Sequence, residues 1–153
     1  MGSKDDGFKG ELKAQVAASL KAGDKARTTT LRMMLSVVTN KEIELRRALD
    51  EGESVQVVQT MIRQRRDSIE QYEKGGRSEL ADIEKAEIKI LEEFLPVQLT
   101  VAEVEAIVSE TARELEAASM KDMGRLMKAV MIKVKGRTGG KVVQEAVKKA
   151  LSA

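Results

Sequence analysis

The segment with the most suggestive chemistry lies near the C-terminus and reads Gly-Arg-Thr-Gly-Gly-Lys from Gly136 to Lys141. It resembles a nucleotide-binding phosphate loop, but three residues separate the outer glycine from the Gly-Lys pair, whereas that motif needs four. Val142 follows where a hydroxyl side chain would hold magnesium, so we do not expect nucleotide hydrolysis. Glycine-flanked N–H groups at a helix N-terminus can still hold a phosphate of a larger ligand. The same glycines equally suit a plain turn between two helices.

Five cationic residues surround this loop and form the main candidate site: Lys128, Lys133, Lys135, Arg137 and Lys141. Lys128 and Lys135 are seven residues apart, which places them near one face of a helix. Cations close to a helix C-terminus also stabilise the helix dipole, and this is an alternative reason for their presence. No aromatic residue lies between them, so base stacking is not expected. We predict that these side chains bind nucleic acid through its phosphates and its shape.

A second basic surface is predicted in the first half of the chain, at Arg63, Arg66 and Arg77. Arg63, Arg66 and Glu70 lie on successive turns of a helix, so ion pairing within that helix explains part of the pattern. Arginine is also suited to bidentate contacts with carboxylate or phosphate groups. Both interpretations stay open.

The composition leaves few residues for catalysis, because the 153-residue chain has no Cys and no His. Disulfides, thiol nucleophiles and Cys-ligated zinc are thereby excluded. The commonest general base and metal ligand is also missing. Four glutamates could suggest paired acids or a metal site, but their spacing also fits an exposed acidic face beside Lys85 and Lys89: Glu84, Glu87, Glu92 and Glu93. We predict no catalytic residue, no metal and no cofactor, and expect no reaction from this chain alone.

The net charge of +2 conceals an uneven distribution along the chain. Residues 77–118 have 4 basic and 11 acidic side chains, a net charge of −7, whereas residues 119–153 have 9 and 2, a net charge of +7. A basic block of this kind predicts a polyanionic partner. The alternatives are that it docks on the acidic segment of its own chain, or that it is only a solvated face.

Hydrophobic periodicity predicts an all-α fold of two helical domains. The N-terminal domain, residues 11–95, is a four-helix unit in which the second and third helices form a long antiparallel hairpin. The single proline, Pro96, begins a C-terminal three-helix domain, residues 96–153. Residues 1–10 lack apolar periodicity and are predicted to be a disordered start or a cloning remnant. The predicted helices cover residues 11–22, 25–49, 54–73, 78–94, 100–117, 119–136 and 141–151. Asp24, Ser54 and the capping-box pattern of Thr100 and Glu103 are predicted to cap three of them, and Leu126 and Val130 are predicted to lie on the apolar face of another.

Blocks of this sequence resemble the YqeY-like proteins, also called the GatB/YqeY-domain family. The blocks are Arg63–Tyr72, Gly76–Arg77, Glu84–Leu99, Asp122–Gly124 and Lys133–Arg137. In their order and spacing they cover about residues 11–152. The family usually has Ala-Asp or Ala-Asn after the Gly-Arg pair, where this chain has Thr138-Gly139.

The resemblance implies a fold of two helical domains and an association with tRNA. A similar domain forms the tail of the B subunit of glutamine-dependent tRNA amidotransferases, and another is appended to some glutaminyl-tRNA synthetases. Those domains contact tRNA mainly through shape and backbone. Free-standing members carry the label of carbon–nitrogen ligase with glutamine as amido-N-donor, but no activated nucleophile of that chemistry is found here.

We therefore expect a non-catalytic tRNA-binding or tRNA-associated module that acts in translation, linked to tRNA-dependent amidation or aminoacylation. An amidotransferase or an aminoacyl-tRNA synthetase is the expected protein partner. One alternative is a protein-interaction module that uses the acidic residues 77–118 or the methionine-bearing helix. Another is an accessory part of an amidotransferase complex. No membrane span or signal peptide is recognised, and a cytoplasmic location is expected.

Overall fold

The computed structural model describes residues 7–152, and every regular element among them is helical. The all-α prediction is therefore confirmed for this part of the chain. The predicted disordered start lies outside the described residues as far as residue 6. The α-helices are α1 (Gly7–Ala22), α2 (Lys25–Leu45), α3 (Glu51–Lys74), α4 (Ser78–Glu92), α5 (Val101–Leu115), α6 (Met123–Val134) and α7 (Gly140–Ser152), with a 3-10 turn at Met120–Asp122 before α6.

Side-chain caps fix the beginnings of three helices. Asp24 accepts a hydrogen bond from the N–H of Arg27 and caps α2. Asp50 and Glu53 form a reciprocal capping box at the start of α3. Thr100 and Glu103 form another at α5, as the Thr-x-x-Glu pattern predicts. Each cap satisfies N–H groups that have no acceptor within their own helix.

Several helix ends differ from the sequence prediction. Helix α3 begins at Glu51 rather than at residue 54, because Asp50 and not Ser54 caps it. Helix α1 begins at Gly7 rather than Glu11, because Phe8 packs edge-to-face on Phe94 with ring centroids 5.9 Å apart. Helix α2 ends at Leu45, four residues early, because Arg46 has a left-handed backbone with φ of 59°. The chain then turns so that Arg47 reaches Glu53 at the start of α3.

Contacts within the chain cluster into two compact units that divide between Leu95 and Pro96. In the first unit, α1 packs chiefly on α2 and α3 chiefly on α4, whereas α2 and α3 touch over a short stretch. The long α2–α3 hairpin therefore stays a prediction. The core of this unit is aliphatic and includes Leu12, Leu31, Met34, Val38, Val58 and Leu91.

The second unit packs α5, α6 and α7 against one another. Its core is built mainly from valines and includes Val104, Val108, Leu126, Val130, Val134, Val143 and Val147. Leu126, Val130 and Val134 recur at four-residue spacing, so one face of α6 is fully buried. The opposite face, which carries Lys128, points to solvent. Within residues 7–152, no helix has the length and apolar character that crossing a membrane requires.

Candidate nucleic-acid interface

The connection between α6 and α7 carries two of the predicted cations, Lys135 and Arg137, in an ordered turn. The N–H of Arg137 donates to the carbonyl of Val134 at 2.7 Å. Gly136 has φ of +71°, a left-handed conformation that glycine adopts without steric cost. Thr138 is only 5% exposed, so the turn is buried at this residue. Lys135 and Arg137 are left exposed on either side of Gly136.

The segment that begins at Pro96 holds this turn in place. The N–H of Leu99 donates to the carbonyl of Arg137 at 2.7 Å. The side-chain amide of Gln98 donates to the carbonyl of Gly136 at 3.0 Å and to that of Pro96 at 2.7 Å. Two segments that are 38 residues apart in sequence are thereby joined, which fixes the direction in which Arg137 leaves the backbone.

Four of the five predicted binding residues present free cationic groups. Lys128, Lys135, Arg137 and Lys141 are all exposed, and none forms a direct ion pair in the part of the chain that the structure describes, although the charge of Arg137 helps to lower the pKa of Glu103. Lys128 extends from the solvent face of α6, and Lys135 stands at its C-terminal end. Lys141 lies in the first turn of α7. These four residues are called the basic face below.

Lys133 differs from the other four, because its ammonium group is already bound within the protein. It donates to the Thr111 hydroxyl and to the Glu114 carboxylate, each at 2.9 Å. Both partners lie on α5, so this contact joins α5 to α6. A lysine held by two oxygens at this distance is less available to a phosphate than Lys128.

The acidic helix α5 neutralises part of the basic tail, as one of the alternatives proposed. Besides the Glu114 contact, Glu105 pairs with Lys149 at 3.3 Å. A third pair is local, where Arg125 meets Asp122 at 3.2 Å. The basic face remains outside these pairs, so docking on the chain's own acids accounts for only some of the charge.

The N-terminus of α7 adds positive potential beside Lys141. The first helical hydrogen bond of α7 is donated by the N–H of Val143 to the carbonyl of Gly139. The N–H groups that precede Val143 in α7 therefore have no acceptor within the helix. The first turn of α7 has no acidic residue. A cation at a helix N-terminus is unfavourable for the helix dipole, and a bound anion relieves that cost. Phosphate binding at this turn stays a prediction.

The second basic surface is found in the first unit, on α3 and at the start of α4. Arg63 and Arg66 are exposed. Their predicted pairing with Glu70 is wrong, because Glu70 instead pairs with Lys74 at 3.1 Å. Arg77 lies 3.4 Å from Glu79, with both side chains about two thirds exposed. Arg63 and Arg66 are thus the free cations of this surface.

Sequence reasoning missed Arg65, which is 8% exposed. Its guanidinium lies 3.4 Å from Glu87 and 3.9 Å from Glu84, both on α4, and also donates to the carbonyl of Met61 at 3.2 Å. The predicted exposed acidic face is therefore wrong for these two glutamates. Burial, reinforced by the neighbouring Glu87, raises the pKa of Glu84. The position of Arg65 in the sequence could have indicated its burial, since it falls on the same face of α3 as the buried residues Met61 and Ile62.

Comparison with known proteins gives one family and one group of named relatives. The model of the YqeY-like protein family matches residues 9–151. A Lachancea thermotolerans protein named "Altered inheritance of mitochondria protein 41, mitochondrial" is 38% identical over 112 residues, which are 71% of this chain and 59% of that protein. Proteins of the same name from Vanderwaltozyma polyspora and Kluyveromyces lactis are 33% and 38% identical, over 83% and 69% of this chain and 69% and 58% of their own lengths.

The names of these relatives correct the predicted location. They are mitochondrial proteins by name, so the expectation of a cytoplasmic protein is contradicted. That expectation rested on the lack of a recognised membrane span or secretory signal, and neither feature distinguishes the cytoplasm from a mitochondrion. The chain also spans only about three fifths of the length of the first relative.

Proposed function

The chain belongs to the YqeY-like protein family, and from this premise we propose that it is a non-catalytic tRNA-binding or tRNA-associated helical module. The basic face supplies the binding energy by contacting tRNA phosphates. The proposed context is tRNA-dependent amidation or aminoacylation, with an amidotransferase or an aminoacyl-tRNA synthetase as protein partner.

The observation that carries this proposal is the set of free cations in the second unit. Lys128 lies on the solvent face of α6, Lys135 and Arg137 lie in the connection to α7, and Lys141 lies in the first turn of α7. Other cations of the same unit, such as Lys133 and Arg125, are paired with acids. Exposed charges of one sign that no acid neutralises are the electrostatic footprint of a polyanion site.

Phosphate and shape recognition fits this surface better than base stacking does. The basic face contains Lys and Arg but no aromatic side chain. Lysine acts on phosphate as a compact point charge with rotatable donors. The rigid connection at Gly136, held by Gln98 and Leu99, presents Arg137 at a constant position relative to α6. Such a surface tracks a phosphate backbone without selecting sequence.

The names of the relatives support action in mitochondria. Mitochondrial tRNA is therefore the preferred RNA for binding experiments. The printed names state a mitochondrial setting and an inheritance phenotype but no chemistry, so the tRNA assignment is supported by the basic face and by the family rather than by those names.

A tRNA titration at two salt concentrations tests the proposal. Affinity should fall steeply with salt, because each phosphate contact releases counterions. The variant Lys128→Glu/Lys135→Glu should lose most of its affinity at low salt. Lys13→Glu/Lys21→Glu is the matched control, since it makes the same change in net charge on two exposed lysines of one helix, α1, outside both candidate basic surfaces. No binding by the unaltered chain at low salt would overturn the proposal.

A finer layout is part of the proposal. We propose that residues 11–95 and 96–153 form two separate domains, the first with four helices and a hairpin of α2 and α3, the second with three helices. The division of contacts between Leu95 and Pro96 supports this layout. Limited proteolysis should then cut between residues 95 and 100. Cleavage confined to other loops would contradict it.

Two alternative functions can be tested alongside tRNA binding. If tRNA does not bind and a protein co-purifies through the acidic or methionine-bearing helices, the protein-interaction alternative gains support. Glutamine-dependent ammonia release that appears only with added amidotransferase subunits would support an accessory role in a carbon–nitrogen ligase complex.

A further inference from the structure

Helix α6 exposes two apolar side chains in the middle of the basic face. Ile132 is 61% exposed and Met131 is 38% exposed. The other aliphatic residues of the same helix, Leu126, Val130 and Val134, are completely buried. Folding of this unit therefore uses one apolar face of α6 and leaves a second, smaller one in water.

These two side chains share the solvent face of α6 with Lys128, and Lys135 follows as the C-cap residue of the helix. At about 100° per residue, Lys128, Met131 and Ile132 fall within roughly 100° of arc. Lys128 and Lys135 are about 10 Å apart along the axis, and Ile132 lies between them. Gly124, one turn before Lys128, adds no side chain, and a Cβ built there would meet nothing within 4 Å.

We propose that Ile132, flanked by Met131, contacts an unpaired nucleobase of a structured RNA while Lys128 and Lys135 hold the adjoining phosphates. This inference rests on the proposed function and adds a preference for RNA with unstacked bases. Aliphatic side chains, Ile and Met among them, contact bases as wedges between the base steps of DNA, and the unstacked bases of a structured RNA are open to contact of the same kind.

The size and surroundings of the patch favour a base over a helix of another protein. A helix bound in a groove needs apolar anchors over two turns. Here the exposed apolar surface of α6 consists of two adjacent residues. Both neighbours on the face are lysines, and the rest of the free positive charge continues into the connection that carries Arg137. An RNA strand, in which flat bases alternate with negatively charged phosphates, matches this arrangement.

Binding of the full chain to two RNAs tests the inference. The probes are a tRNA and a blunt RNA duplex of about 16 base pairs, long enough for shape recognition but without unpaired bases. Ile132→Ser should weaken tRNA binding about fivefold, on the scale of one lost base contact. It should leave the affinity for the duplex and the salt slope unchanged. Ile83→Ser is the matched control, because Ile83 is 58% exposed on α4, and it should change neither affinity.

Each outcome separates this inference from the proposed function. If the unaltered chain binds tRNA and Ile132→Ser binds it equally well, the base contact is overturned and the tRNA function stands. Equal losses on tRNA and duplex also overturn the base contact. If the unaltered chain binds neither RNA at low salt, the proposed function and this inference both fail.

Discussion

The ammonium group of Lys133 on α6 lies 2.9 Å from the carboxylate of Glu114 on α5. It is equally close to the hydroxyl of Thr111, a residue that is 1% exposed. Lys128, little more than one turn earlier on α6, has no such partner among the described residues. Two lysines of one basic cluster thus have different roles, one joining helices and one facing solvent.

Replacing these two lysines should separate stability from binding. Lys133→Met should lower the free energy of unfolding by about 0.5–1 kcal/mol, because a partly exposed ion pair and a buried hydroxyl lose their partner. Lys128→Met should change it by less than about 0.5 kcal/mol, as exposed substitutions usually do. Urea denaturation measures both. Equal effects would show that the α5–α6 contact does not stabilise the protein.

Arg65 should be among the residues most sensitive to substitution in the first unit. Arg65→Met leaves Glu84 and Glu87 facing each other without a cation, and loss of one partner of a buried ion pair costs about 3 kcal/mol. Arg66→Met, one residue along α3 but exposed, should cost less than about 0.5 kcal/mol. Unfolding by urea or heat distinguishes them. Similar values for the two variants would contradict the buried cluster.

Glu53 should make the stability of the folded protein depend on pH in the acidic range. Its carboxylate accepts two hydrogen bonds from Arg47, at 2.6 and 2.8 Å, and these together with its capping bond lower the pKa of Glu53 to about 2. A group with a lowered pKa in the folded state contributes stability above its unfolded value, and that contribution is lost as the pH falls towards 2. Glu53→Gln should therefore flatten the stability profile between about pH 4.5 and pH 2. A profile of unchanged slope would contradict this pairing.

Glu84 should change the pH dependence of stability in the opposite direction to Glu53, because burial and the nearby Glu87 raise the pKa of Glu84. The folded state then holds its proton more tightly than the unfolded state, so stability falls as the pH rises through the unfolded value. Glu84→Gln removes this loss, and its advantage over the unaltered chain should grow from pH 4 to pH 7. Unfolding curves at both pH values measure it, and an advantage that shrinks would contradict the assignment.

The sequence was most informative where a local pattern determines structure. The Thr-x-x-Glu pattern at Thr100 and the acid at Asp24 predicted two helix starts, because capping depends on groups only a few residues apart. The four-residue spacing of Leu126 and Val130 likewise predicted the buried face of α6. The all-α class follows from the same local periodicity.

Features that depend on distant partners could not be predicted in the same way. Helix α1 extends to Gly7 because Phe8 meets Phe94, which is 86 residues later. Arg65 is buried because α4 supplies two carboxylates. The candidate site likewise combines local and distant features. Helical spacing predicted its exposed lysines, whereas the Lys133–Glu114 contact depends on how α5 packs against α6.

The most direct test of the central claim is the salt dependence of tRNA binding by the unaltered chain and by Lys128→Gln/Lys135→Gln. Each phosphate contact that is lost lowers the slope of log affinity against log salt by about one. We predict a slope that is smaller by about two for the double variant, with no change for the matched Lys13→Gln/Lys21→Gln variant on α1. Equal slopes for the unaltered chain and the lysine variant would show that the basic face does not contact tRNA phosphates.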